Sequence, residues 1–311
     1  MNHGLATTQH SIAEEMVGLV RARPMLGTIV EISATGQVFE KVQEAIECAF
    51  KAIKMVHHLM SYQDPDSDVS RLNKMAYSQP VEVSQPTWHV LQVARNISEA
   101  SGGIFDITIA PALTRLGFLP QHEGFPESWR HSHWRHVDLL PGNKVRFQRS
   151  LGIDLSGIAK GYAVDLAIQA LQMNGMKAGR INAGGDMRMF GNIQHSIHVR
   201  MPDAPTQTVP LVKLECGAIA TSAGYYAAKQ HGGLMLTPLV DPLTQTACES
   251  GRSVSVLADE CIIADALTKV AYIAPKCASD ILHQFQAHAI IVEKDSKRGN
   301  YQIFDSRVSQ L

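Results

Sequence analysis

No two of the five cysteines, Cys48, Cys216, Cys248, Cys261 and Cys277, stand in a CxxC spacing, and five is an odd number. That argues against a disulfide framework and against a cysteine-held zinc, and it agrees with a reducing compartment. Neither charge dominates: Lys and Arg number 28 against 29 Asp and Glu, a formal net charge of -1. Without a basic field, nucleic-acid binding has no support in the composition. Long apolar runs are missing too, and nothing nears the roughly 20 apolar residues that a membrane span requires. The opening stretch, MNHGLATTQHSIAEEMVGLVRARP, holds no signal-peptide apolar core. Gly18 interrupts its longest run, and Glu14 and Glu15 precede that run. A soluble, cytoplasmic protein is expected. No GxGxxG opens a helix, which leaves a Rossmann unit unsupported, and neither a Walker A nor a GxSxG pattern occurs.

What the chain does have is enough apolar content, 45% of 311 residues, to bury a large core. Residues 1–24 read as a loose arm or short helix, and 25–311 as one domain. A strand is expected at 27–32, then a turn at Ala34-Thr35-Gly36. Val42, Ile46, Ala49, Ile53, Val56 and Met60 recur at three- and four-residue steps and predict a long amphipathic helix. The polar stretch 60–73 reads as a loop, in which Tyr62 is either plain packing or a ligand-stacking ring. A short strand is expected at 81–83, and Pro86 sits in the first turn of a second helix that Gly102 and Gly103 stop. Polar and apolar residues alternate over 104–108, which would set Asp106 and Thr108 on one face of an extended segment.

Residues 117–135 gather His122, Trp129, His131, His133 and Trp134. With no helical ligand spacing and no carboxylate partner, a surface insert is expected there and not a metal site. A hairpin turning at Pro141-Gly142-Asn143 follows. Later strands are expected at 198–201, 212–214, 218–220, 254–258 and 289–293, with helices at 262–273 and 278–285. The mixture of hairpins and strand–helix units favours an α+β fold, with mixed or antiparallel sheets and packed helices.

The chain is organised around 154–186, which reads DLSGIAKGYAVD, a helical run, then RINAGGD. An apolar strand (Leu151, Ile153, Leu155) enters a small-residue turn, Ser156-Gly157-Ile158-Ala159. Lys160 and Gly161 follow, and then a helix with Ala163, Leu166, Ala167, Ala170 and Leu171 apolar. Asn174-Gly175 ends it. A second strand meets Ala183-Gly184-Gly185-Asp186. Two such turns serve only as tight turns, or they bring backbone N–H groups and a helix N-terminus together, as phosphate-holding proteins do.

Seven segments, in order, resemble the ApbE family, flavin transferases that move FMN from FAD onto a protein threonine. They are LGTIVEI (26–32), MSYQDPDSDVSRLN (60–73), GGIFDITIAP (102–111), DLSGIAKGYAVD (154–165), INAGGD (181–186), IATS (219–222) and ADAL (264–267). The resemblance implies an ApbE-like, T-fold-related architecture over most of the chain. It implies FAD as substrate, and Mg2+ assisting attack of an acceptor threonine on the FMN-side phosphorus, with AMP leaving. By that likeness Met25, Met60, Tyr62, Phe105, Asp106, Lys160, Tyr162, Gly184, Gly185 and Asp186 contact the flavin nucleotide. Ala163 through its carbonyl and Asp265 through its carboxylate would hold Mg2+, an ion that takes oxygen ligands and keeps several waters. The implied partner is an acceptor flavoprotein bearing the target threonine.

Two positions depart from the family. It carries a histidine ahead of a DP turn, where this chain has Pro238 before Asp241-Pro242, and proline cannot act as a base. His231, a few residues upstream, is the substitute at hand. The family's late helix reads D-A-x-x-T, whereas here Lys269 stands one turn after Asp265 and Thr268 is one residue early. Thr268 takes the ligand position if the helix turns slightly. The Lys269 ammonium would compete with Mg2+ or bind phosphate as a point charge. Asp265, Lys269 and His231 are thus the candidate catalytic residues. The alternatives to transfer are an FAD-binding protein without transfer activity and an FAD pyrophosphatase that uses water.

Overall fold

A computed structural model of the chain describes residues 16–125, 132–202, 204–224, 228–231, 234–294 and 301–307. The loose arm expected over 1–24 is corrected from residue 17 on: β1 (Val17–Met25) pairs antiparallel with β2 (Thr28–Gly36) along its whole length. β1 is an edge strand exposed along most of its length, so it lacks the apolar alternation by which strands are read. Residues 1–15 lie outside the described part. The turn expected at Ala34-Thr35-Gly36 is also strand, because pairing continues through Gly36.

α1 (Phe39–Met60) follows its periodicity, and Val42, Ile46, Ala49, Ile53, Val56 and Met60 are all buried. The stretch read as a loop contains α2 (Asp68–Met75), opened by Ser67, whose hydroxyl accepts from the Ser70 N–H at 3.0 Å. β3 (Val81–Glu82) leads to α3 (Gln85–Ala100), which Ser84 caps and in whose first turn Pro86 sits. Residues 104–108 do not extend. Asp106 folds them back by accepting from the Thr108 N–H and hydroxyl, both at 2.8 Å, ahead of α4 (Ala110–Arg115).

β4 (Val137–Leu140) and β5 (Lys144–Phe147) form the expected hairpin and join β3 in a three-stranded sheet. The preceding insert is not all surface. Phe125 and Trp134 are buried, and the Trp134 N–H donates to Asp106 at 3.0 Å. Trp129 and His131 lie outside the described residues. The run Leu151, Ile153, Leu155 is buried but joins no strand. In place of a neighbouring strand it has a side chain from α2 and one backbone bond: Asn73 Nδ2 donates to the Ile153 carbonyl at 2.9 Å, Asn73 Oδ1 accepts from the Ile153 N–H at 2.7 Å, and the Asp154 N–H donates to the Ile107 carbonyl at 2.9 Å.

The chain continues through α5 (Ala159–Met173), β6 (Ala178–Ala183), β7 (Asp186–Phe190), β8 (His195–Met201), β9 (Ala204–Leu214) and β10 (Gly217–Ala223). β11 (Lys229–His231), β12 (Leu234–Asp241), β13 (Thr246–Glu249) and β14 (Arg252–Ala258) follow. α6 (Cys261–Ile273), α7 (Pro275–Gln284), β15 (His288–Lys294) and β16 (Tyr301–Asp305) come last. The main sheet is antiparallel, in the order β1-β2-β6-β7-β10-β14-β15-β16. This is the α+β arrangement expected from the sequence.

α1, α5 and α6 pack on one face of that sheet. On the other, the β8–β9 hairpin sets Ile197 against Met187, Met189, Ile219, Leu257 and Ile290. Period-two alternation divides β7 between the faces: its two methionines go to the hairpin side, while Asp186 and Arg188 reach residues of α5. That division sets polar groups of the strand against the helix N-termini. β12 pairs with β11 and β13, and its register to β13 shifts between Leu236 and Val240, around Pro238. Among the described residues no helix is long and apolar enough to cross a membrane.

Candidate functional site

The two glycine turns meet through an ion pair. Lys160, second residue of α5, reaches Asp186, first residue of β7, Nζ to Oδ2 at 3.0 Å. Asp186 is buried, and its Oδ1 accepts from the Thr221 N–H at 3.3 Å. The turn before it needs its glycines. Gly184 has φ 64° and Gly185 φ 105°, and a Cβ on Gly184 would lie 2.6 Å from Thr28 Oγ1. Burial alone would depress the Lys160 ammonium, but the Asp186 and Asp265 carboxylates raise it above its ordinary value. Burial likewise pushes the Asp186 carboxyl up, against the pull of Lys160.

α6 brings Asp265 and Lys269 to the same place, four residues apart on one helical face. Asp265 Oδ2 accepts from the Gly161 N–H at 2.9 Å. The Lys269 ammonium pairs with Asp265 Oδ1 and also donates to the Asp265 carbonyl at 2.9 Å. Thr268 donates its hydroxyl to that same carbonyl at 2.6 Å and meets the Ser222 hydroxyl at 2.7 Å. The Lys269 stem lies along the first turn: a Cβ on Gly157 would sit 3.4 Å from Lys269 Cε and 3.9 Å from Phe105 Cε2.

The start of α6 is itself held from α5. Glu260 supplies no side-chain cap. Asp165 accepts instead from the Cys261 and Ile262 N–H groups, each at 2.8 Å, and pairs with Arg188 at 2.7 Å. Gly161 lets the two helices touch, since a Cβ there would collide with the Cys261 carbonyl and lie 2.8 Å from Asp265 Cβ.

The other expected residues are placed as follows. Met25 ends β1 beside the turn into Thr28, which abuts Gly184. Met60 is buried at the end of α1. Tyr62 is buried with Phe125 edge-on at 5.2 Å and His122 at 5.5 Å, and its hydroxyl meets Thr114 at 3.4 Å. Phe105 borders Gly157, whereas the Asp106 carboxylate is taken up by Thr108 and Trp134. Tyr162 lies 5.3 Å from the His89 ring. His231 closes β11 opposite Leu234, and its side chain lies outside the described residues.

The set Ala163, Asp265 and Thr268 does not fit a magnesium ion, which needs oxygen lone pairs turned toward one point. Ala163 is fully buried inside α5, where its carbonyl belongs to the helical ladder. Both carboxylate oxygens of Asp265 are engaged, one by an ammonium, and Thr268 is turned onto its own helix. Among the described residues no group of three or more His, Cys, Asp or Glu could hold a metal.

Asp154, quoted in the central segment but not among the expected contacts, is buried beside this cluster. Ser156 donates to it through its hydroxyl and, at 3.3 Å, through its N–H. Burial pushes the Asp154 carboxyl up, against those bonds and the Lys269 ammonium. A carboxyl raised in the folded state binds its proton more tightly there than in the unfolded chain. Its contribution to stability is complete below the ordinary carboxylate range and is lost as pH rises through the folded value. Asp154→Asn cannot ionise. The Tm of the wild type relative to this variant should therefore fall as pH rises from the ordinary carboxylate range. A difference that stays flat in a pH series of thermal melts would contradict this.

Among the described residues, a concavity of about 440 Å³ opens beside the cluster and not on it. Gln85, His89, Tyr162, Gln169, Arg188 and Glu260 help line it, and none of Lys160, Asp186, Asp265 or Lys269 does. The charged cluster has the donors that a diphosphate requires, so it and not the cleft is the candidate site. Gly157, Gly161, Asp165 and Ser222 lie inside the quoted motifs but were not among the expected contacts. Their roles show in the sequence only as spacing: Gly161 and Asp165 stand one helical turn apart inside the central segment.

A family model described as the ApbE family matches residues 26–291. The chain is similar to an FAD:protein FMN transferase of Vibrio cholerae, 28% identical over 232 residues, 70% of this chain and 69% of that protein. A protein of the same description from Treponema pallidum is 24% identical over 281 residues, 81% of this chain and 78% of its own. Among solved structures, an ApbE protein of Thermotoga maritima matches with a TM-score of 0.80 at 26% identity, covering 92% of this chain and 96% of that one.

Proposed function

Since the chain belongs to the ApbE family, we propose that it transfers FMN from FAD to a threonine hydroxyl of an acceptor protein. The acceptor oxygen bonds to the FMN-side phosphorus as the bridging phosphorus–oxygen bond breaks. The electron pair leaves on the phosphate of AMP, and the hydroxyl proton passes to water. The observation that carries this reading is the Lys160–Asp186 pair, set between two glycine turns and beside Lys269. A diphosphate brings negative charge that grows on the departing phosphate, and positioned ammonium groups and N–H donors meet that charge. Asp186 aims Lys160, and the Gly184-Gly185 turn offers backbone close enough for a phosphate to approach.

The reading is tested with purified protein, FAD and an acceptor domain bearing the target threonine. Intact mass should show covalent FMN on the acceptor, with one AMP released per adduct. FMN and AMP formed without acceptor would instead mark water as the nucleophile. FAD that stays bound and intact with every acceptor would mark a carrier. Lys160→Met should weaken FAD binding about 10- to 100-fold, the worth of one charge-assisted hydrogen bond, whereas Lys160→Arg should keep most of it. Flavin fluorescence titration measures both, and a loss of twofold or less for Lys160→Met, about 0.4 kcal/mol, would remove Lys160 from phosphate contact.

A further inference from the structure

We propose that the Lys269 ammonium stands where a divalent cation would otherwise serve this site, so that the flavin diphosphate is bound by a charge built into the chain and without Mg2+. The proposal rests on the FAD reading above for the identity of the anion. Its own basis is the geometry of α6.

Lys269 lies one turn after Asp265 and folds back onto it, engaging both the carboxylate and the carbonyl of that residue. The remaining carboxylate oxygen is held by the Gly161 N–H. Each oxygen of Asp265 thus already has a partner, and one of the two is a cation. Thr268 points its hydroxyl proton at the Asp265 carbonyl and rests on Ser222, so its oxygen is fixed within the helix–strand contact. A divalent ion brought to Asp265 would meet an ammonium already in contact there, and the like charges repel.

The same ammonium is well placed to act in the ion's stead. Its side chain is 16% exposed, so the group is sheltered yet reachable. Its stem packs along Gly157, in the turn that opens α5, and a second ammonium, Lys160, stands on Asp186 across that turn. Each lysine is balanced by its own aspartate. A diphosphate entering between them finds two positive groups held in position with no metal-binding equilibrium. An ammonium has three donors and two are engaged with Asp265, which leaves one for an oxygen of the ligand.

The test uses the full chain. FAD affinity is measured by flavin fluorescence in EDTA and in excess Mg2+, and Mn2+ binding by electron paramagnetic resonance without FAD. Wild type should bind FAD equally under both conditions and should hold no stoichiometric Mn2+. Lys269→Thr should create one Mn2+ site, and its FAD affinity should become Mg2+-dependent by about tenfold or more. Lys269→Arg should keep metal-independent FAD binding. A wild-type affinity that rises about tenfold with Mg2+, or a stoichiometric Mn2+ site in the wild type, would overturn the proposal. If no form binds FAD, the transfer reading fails, while the Mn2+ measurements still decide whether Lys269 excludes a cation. The wild-type and Lys269→Arg results stand even if Lys269→Thr does not fold, which circular dichroism would show.

Discussion

Asp165→Ala is expected to lower folding stability by about 2–4 kcal/mol, seen as a lower urea midpoint at unchanged slope. The first N–H groups of a helix need acceptors from outside it, and α6 receives none from Glu260. Asp165 supplies two of them and answers Arg188 as well. Removing it leaves the Cys261 and Ile262 N–H groups buried and unmatched. Burial pushes the Asp165 carboxyl up despite those partners, so the side chain also carries a desolvation cost. That cost offsets part of the loss and is why the upper figure is not larger. Asp165→Asn keeps one acceptor oxygen and should fall between the alanine variant and the wild type. A loss below about 0.5 kcal/mol for alanine would mean that α6 finds other acceptors.

Gly161→Ala should also destabilise, although alanine is favoured over glycine in a helix by about 1 kcal/mol. A Cβ at this position runs into the Cys261 carbonyl and lies 2.8 Å from Asp265 Cβ, and backbone cannot swing aside as a side chain can. α5 and α6 must part, which costs more than the propensity returns and leaves a net loss of about 1–3 kcal/mol. The parting also stretches the bond from the Gly161 N–H to Asp265 and shifts Lys269 with it. FAD affinity should therefore drop by about tenfold or more in protein that remains folded. Thermal melts and flavin titration together check this. A variant with wild-type Tm and wild-type FAD affinity would show that the helices separate without consequence.

Much of this was legible in the sequence where residues act through periodicity or through strings of neighbours. The stripe from Val42 to Met60 located α1, and the glycines of 184–185 located the turn that Asp186 leaves. Lys269 was visible as a departure, and its four-residue distance from Asp265 already implied contact on a helix. What was hidden depends on partners far along the chain. β1 is recognised only by its ladder to β2, because this edge strand is exposed along most of its length. The strand expected at 218–220 runs on through Thr221 and Ser222 because its pairing with β14 continues there, and their hydroxyls meet those of Ser255 and Thr268. Asp106 read as one residue of an extended strand, and its Thr108 and Trp134 bonds make it the centre of a fold-back.

The tie between Asn73 and Ile153 has a mechanical consequence. A ladder fastens a strand at every second residue, so the strand can neither slide nor rock. Here the Asp154 N–H donates to the Ile107 carbonyl at 2.9 Å, and the Asn73 amide grips both backbone groups of Ile153. It forbids sliding, because a shift by one position would offer Asn73 the wrong pair of backbone groups. With the Asp154 bond it fixes the segment at two adjacent residues. The turn at Ser156 and Gly157 starts just past these two residues, so the N-terminus of α5 is indexed to Asn73 on α2 and to the Ile107 carbonyl.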